Sequence, residues 1–283
     1  AKWRAYRKAR RTLIDTLNNP EKRPDVVHLH TAADWSWWRK MKLGRVSHQA
    51  AVSVVIHIHS GRFRTWLGLP DSFRSKRAKK SLKRMKATTV VLSDVWEETL
   101  TPHLGLLHVI NNPVSSDFTP PTETREADHL LLLGRNDPVK GHAFAQEIAR
   151  TLHAQNSNLR LTMTGVETSE EPWVKALGWV PENEKKRLLR TASLLLVPSA
   201  YEGQPLVIFE ALACGLPVLT SDRVPPTPDV VQRLPFENRS AWIDAIKVQL
   251  NQPIEVVSLV QSVEKYRIDS IARQWRYLYQ KLE

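Results

Sequence analysis

Apolar residues recur along this chain in short runs separated by amphipathic or polar stretches. Four runs in the first part, Asp25 to His30, Ala51 to His59, Ala87 to Ser93 and Leu107 to Ile110, have the length of strands. Ahead of them, Lys2 to Leu17 reads as a basic amphipathic helix that stops at Asn18, Asn19 and Pro20. Residues 111–128 (NNPVSSDFTPPTETREAD) hold three prolines and little apolar content, which reads as a linker. A second series follows, with strands expected at His129 to Leu133, Leu159 to Thr164, Ser193 to Val197 and Pro217 to Thr220. Helices are expected near 142–154, 182–191 and 207–213, and Asp269 to Leu282 closes the chain as another. Strands alternating with helices predict parallel α/β sheets, and continuous rather than alternating apolar runs suit strands covered on both faces.

A length of 283 residues suits two α/β domains, each with its own core. The single Cys214 excludes an internal disulfide; with no signal-peptide pattern after Ala1, the expected compartment is the reducing cytoplasm. No stretch approaches the roughly 18 consecutive apolar residues of a membrane span.

Charge is uneven in a way that changes this picture. Residues 1–90 carry a net +17 and the remainder a net −5, which together give +12. The densest stretch, RSKRAKKSLKRMKA from Arg74 to Ala87, has eight basic residues in fourteen. On a helix it leaves only Ala78, Leu82 and Met85 as a thin apolar stripe, too little for deep insertion into lipid. Adsorption to an anionic membrane surface, helped by Arg62, Arg64, Phe63 and Trp66, is the expected use, and a solvated face is the plain alternative. Nucleic acid is not the expected partner, because no helix-turn-helix, zinc-finger or RNA-recognition signature accompanies the charge.

Three constellations carry candidate chemistry. In YEGQPLVIFEALACGLP, Glu202 follows a strand-and-loop pattern and Glu210 lies eight positions on, within a helical run. The backbone N–H groups from Gly203 to Leu206 at a helix start suit a phosphate or sugar oxygen. In LLLLGRNDPVKG, a buried strand ends at Gly134 and a loop delivers Arg135 and Lys140, two cations able to clamp a diphosphate whose charge grows as it departs. In VVIHIHSGRF, His57 and His59 lie on one side of a strand, and His28 and His30 repeat that spacing in VVHLHTA. Four imidazoles on neighbouring strands could hold zinc. Yet Asp25 and Asp34 are the only carboxylates near to orient them, and no Asp-x-Asp occurs in the chain, so no metal is expected.

The Glu202 to Glu210 element resembles the Glu-x7-Glu motif of the retaining family-four glycosyltransferases, and Arg135 with Lys140 is similar to that family's donor-diphosphate site. The resemblance implies an α/β GT-B fold of two Rossmann-like domains with parallel sheets. It divides the chain into an acceptor-side domain over 1–112, a linker over 113–128, a donor-binding domain over 129–262 and a C-terminal helix over 263–283 that packs back on the first domain. It implies a retaining, metal-independent hexosyltransferase of cell-surface polysaccharide or glycolipid synthesis, lying on the inner face of the cell membrane. That enzyme moves a sugar from a nucleoside diphosphate donor, UDP-sugar favoured over GDP-sugar, to a saccharide or lipid-linked acceptor, and needs no cofactor. On this resemblance Arg135 and Lys140 contact the phosphates, Glu210 the ribose and Glu202 the sugar hydroxyls. Gly203, Gln204, Pro205 and Leu206 line the pocket, and His59 matches the family's active-site histidine. The alternative is a noncatalytic subunit that binds nucleotide sugar or a polyanion.

The sequence departs from the family in three places. Gln204-Pro205 stands where many relatives have Gly, and Pro205 lacks an amide hydrogen. The stretch SDRVPPTPDVVQRLPFEN, from Ser221, lacks their Gly-Gly and Glu. Their first strand and Gly-rich loop have no counterpart, so the first domain is expected to be incomplete, with a partner or a further segment completing it.

Overall fold

The computed structural model describes residues 2–225 and 227–283; Ala1 and Pro226, the latter inside the divergent stretch after Ser221, lie outside the described residues. The chain divides into two units, residues 1–112 with 271–283 and residues 113–270.

In the first unit, helices α1 (Lys2–Asn18), α2 (Trp35–Gln49), α3 (Phe63–Leu67), α4 (Phe73–Arg84) and α5 (Asp94–Leu104) alternate with strands β1 (Val26–Thr31), β2 (Ser53–Ile58), β3 (Thr88–Val91) and β4 (His108–Val109). The strands pair in parallel in the order β1-β2-β3-β4. One face of the sheet buries Leu29, Val54, Ile56 and Ile58 with Trp37 and Met41 of α2, Phe63 and Trp66 of α3, and Ala78 and Leu82 of α4. Helix α4 begins where Ser72 Oγ accepts the Ser75 N–H at 3.1 Å.

This packing corrects one expectation. Phe63 and Trp66, read as helping adsorption to a membrane surface, are buried in the core, together with the stripe of Ala78, Leu82 and Met85. A stripe that thin is what a surface helix needs to cover a sheet, and burying each large side chain there contributes roughly 1.5–3 kcal/mol. The exposed apolar residues beside α4 are Leu69 and Phe73 instead.

The second unit runs β5 (His129–Leu132), α6 (His142–His153), β6 (Arg160–Met163), β7 (Val174–Ala176), α7 (Glu182–Thr191), β8 (Leu194–Val197), α8 (Leu206–Ala213), β9 (Val218–Ser221), β10 (Gln232–Leu234), α9 (Arg239–Asn251) and α10 (Val256–Ser262). Its parallel sheet has the order β10-β9-β8-β5-β6-β7. After β5 the chain builds outward through β6 and β7, then returns to lay β8, β9 and β10 on the other side of β5. The strand order therefore reverses between β5 and β8, and ligands of open α/β sheets bind beyond the carboxyl ends of strands at such a point. Residues 113–128 are not a free linker: Val114 and Phe118 are buried in this unit's core, and the Val114 N–H donates to Tyr266 O at 2.8 Å.

The last helix, α11 (Ile268–Gln280), places Ile271 and Leu278 with Val55, Val90 and Ile110, so it covers the second face of the four-stranded sheet.

Candidate active site

The loop after β5 is shaped by its own polar groups. Asp137 accepts the Val139 N–H at 3.1 Å and draws in the Arg135 guanidinium at 2.9 Å. A single helical turn, Pro138–Lys140, then leads to Gly141 at φ 74°, which starts α6. A Cβ at Gly141 would lie 2.7 Å from Pro198 O, so glycine is what lets this loop approach the one after β8. The Ala200 N–H donates to Val139 O at 2.8 Å and joins the two loops directly.

That approach brings two of the sequence candidates together. Lys140 Nζ donates to Glu202 Oε1 at 2.5 Å, across the switch point, and Ser199 Oγ donates to the same oxygen at 2.9 Å. Both charged side chains are largely buried, at 23% and 14% exposure, so their attraction is poorly screened. Ser199 is fixed in turn, because its carbonyl accepts from Ser221 Oγ of β9.

The other candidates have different partners. Arg135 is mostly solvent-exposed and bonds Asp137, whose carboxyl lies below its ordinary range because the Val139 N–H and then Arg135 stabilise the anion. Glu210 is buried on α8 and accepts from Lys185 Nζ of α7 at 2.9 Å; Lys185 also bonds Glu182 at 3.0 Å. Burial pushes the Glu210 carboxyl up, against the opposing pull of Lys185. Burial alone would lower the Lys185 ammonium, but its bonds to Glu210 and Glu182 leave it raised. Helix α8 starts at Leu206, so Gly203, Gln204 and Pro205 form the loop before it rather than its first turn. Pro205, at the cap, supplies a carbonyl to the Ile208 N–H at 3.2 Å and no donor.

Sequence reasoning missed Lys185, Ser199 and Gly165. Gly165 ends the strand pattern of β6 at φ 83°, and a Cβ there would fall 2.3 Å from Gly134 O. The signal was the Thr164-Gly165 pair at a strand end, where Thr164 Oγ1 accepts the Gly134 N–H at 3.0 Å.

His59 lies in the first unit, just past β2, where its Nε2 is 2.8 Å from His30 Nδ1. Burial holds its imidazole down at about 4, and the neighbouring His30 adds to the effect.

Residues 127–252 match the family model described as "Glycosyl transferases group 1". That stretch, a little under half of the chain, is similar to the group 1 glycosyltransferases. The matched stretch takes in both loops at the switch point. The chain is 34% identical over 87 residues to O-antigen chain mannosyltransferase B of Escherichia coli, covering 31% of this chain and 23% of that protein. It is 26% identical over 221 residues to glycogen synthase of Mycobacterium tuberculosis, covering 71% and 52%. The chain thus spans about a quarter to a half of the length of these curated relatives. In fold it matches HepE of Anabaena, solved in complex with UDP and glucose, with a TM-score of 0.75 at 13% identity over 98% of this chain and 81% of that one. Its two parallel α/β sheets are those of the GT-B fold.

Proposed function

We propose that this chain transfers a hexose from a nucleoside diphosphate sugar, a UDP-sugar in preference to a GDP-sugar, to a saccharide or lipid-linked acceptor, with retention of configuration. The product belongs to a polysaccharide or glycolipid. The observation that carries this reading is the Lys140 to Glu202 contact between the loops after β5 and β8. A cation and a carboxylate meeting there suit the two ends of one ligand, Lys140 for the diphosphate and Glu202 for the hydroxyls of the sugar.

In this reading the second unit is the donor domain and the first the acceptor domain. Arg135 swings from Asp137 to the phosphates and acts with Lys140 on the charge that develops as the nucleoside diphosphate leaves, without a metal on the diphosphate. Lys185 fixes the orientation of Glu210, which takes the ribose. The loop Gly203, Gln204 and Pro205, with the free-ended turn at Leu206, lines the sugar pocket. His59 meets the acceptor side of the reaction, neutral at physiological pH and able to accept or relay a proton. No group is assigned as covalent nucleophile; the departing phosphate assists attack from the same face.

The exposed cations of α4, together with Leu69 and Phe73, are assigned to an anionic membrane surface where a lipid-linked acceptor would lie. No helix among the described residues is long and apolar enough to cross a membrane.

The test is transfer of labelled sugar from a panel of nucleotide sugars into membrane-extracted acceptors. The wild-type chain should show transfer from a UDP-sugar, and Glu202→Ala should lower the rate on the order of 100-fold. Nucleotide binding without turnover on any donor would make the chain a binding subunit instead.

A further inference from the structure

The sheet of the first unit carries a cluster of imidazoles that donor binding does not use. In the parallel register of β1 and β2, His30 is paired with His57, while His28 sits two residues before His30 and His59 two residues after His57. Four rings thus gather on the sheet face covered by α11, where Val26 and Val55, in phase with His28 and His57, pack with Trp275 and Tyr279. The rings of His28 and His30 stack at 4.3 Å, and each lies 5.3 Å from the ring of His57. One ligating nitrogen of each of these three lies within 4.8 Å of the others.

The hydrogen bonds divide the nitrogens into held and unheld. Tyr279 Oη lies 2.6 Å from His28 Nδ1 and fixes that ring, which leaves Nε2 buried with no partner. His59 Nε2 similarly holds His30 through Nδ1 at 2.8 Å. His57 is 3% exposed, and neither of its nitrogens has a partner. An unsatisfied buried polar atom costs about 1–3 kcal/mol, and three such atoms in one cluster need a physical reason. Imidazoles oriented by a second group through the other nitrogen are what a metal ion requires, and here Tyr279 and His59 take the part that carboxylates commonly take.

We infer that His28, His30 and His57 form a site for a divalent transition metal, zinc by preference, with Tyr279 and His59 orienting the ligands. Tetrahedral zinc with bonds of about 2.0–2.1 Å sets its nitrogens about 3.3 Å apart, so each ligating atom moves by less than about 1 Å from its present place. Three imidazoles leave a fourth position for water or an oxygen ligand. An all-nitrogen set disfavours magnesium and calcium, which take oxygen. The site is separate from the diphosphate loops in sequence and in unit, so it stands or falls independently of donor binding.

The experiment titrates zinc chloride, and cobalt chloride as a spectroscopic probe, into the whole tag-free chain by calorimetry and visible absorption. One zinc per chain with a dissociation constant below about 1 μM is expected, along with cobalt bands characteristic of four-coordination. His30→Ala, at an exposed position that tolerates change, should weaken zinc at least 100-fold; Tyr279→Phe should weaken it 10- to 100-fold while circular dichroism stays unchanged. Absence of one-to-one binding by folded chain would overturn the inference, and so would binding that survives His30→Ala. UDP titration of the same samples should be unaltered by zinc, which separates this result from the fate of the donor site.

Discussion

Glu210 and Lys185 show how a single side chain can decide the character of a site. The carboxylate is buried and its ordinary acidity is weakened by that burial, so Lys185 is what keeps a charged partner beside it. Removing the cation leaves an uncompensated buried charge, which costs about 3 kcal/mol when it cannot be neutralised. The sign with pH follows from the raised carboxyl: the folded chain binds a proton more readily than the unfolded chain, so stability from this group is greatest at low pH and is lost as pH rises through the folded value. Lys185→Ala should therefore be destabilised more at pH 7.5 than at pH 5, relative to wild type, in urea unfolding at the two pH values; an equal loss at both would contradict the account. Glu202, Glu210, Arg135 and Lys140 are legible as candidates in the sequence because each follows or enters a recognisable strand or helix pattern. Lys185 is not, since it sits in the string Glu184-Lys185-Lys186-Arg187, and only the packing of α7 on α8 selects which cation turns inward.

At the scale of elements, long apolar runs and amphipathic helices were readable, and short or atypical pieces were not. Strands β7 and β10 have three residues each, too few for a period to register. Helix α10, VVSLVQS, is rich in β-branched residues that favour strands, yet it is helical because Leu259 is buried with the α8 core and Val256 packs over Gly215. The apolar stripe of α4, read as too thin for deep insertion into lipid, serves the core. What the helix presents outward is cationic, with Phe73 and Leu69 beside it. Each cation near an anionic leaflet contributes about 1 kcal/mol, so reversing Lys79, Lys80 and Lys83 to Glu should reduce binding to vesicles containing phosphatidylglycerol at least 100-fold. Retention on the vesicles at low salt despite the three reversals would remove the membrane from the account.

At the scale of the whole molecule, two parallel sheets, each with its own core, account for the number of strands and for most of their order. Parallel α/β structure was legible because every connection between apolar runs was long enough to hold a helix. The reversal between β5 and β8 was not, because strand order is a property of packing on both faces rather than of any run. Yet that reversal is what brings the loop with Lys140 to the loop with Glu202, some sixty residues apart. Calorimetric titration of UDP into the wild-type chain and into Lys140→Ala tests this central claim most directly. Wild type should bind one UDP, more tightly than GDP, and Lys140→Ala should weaken UDP about 10- to 100-fold, the value of one charge-assisted hydrogen bond. A wild-type chain that binds no nucleoside diphosphate, or a Lys140→Ala chain that binds UDP as tightly as wild type, would contradict it.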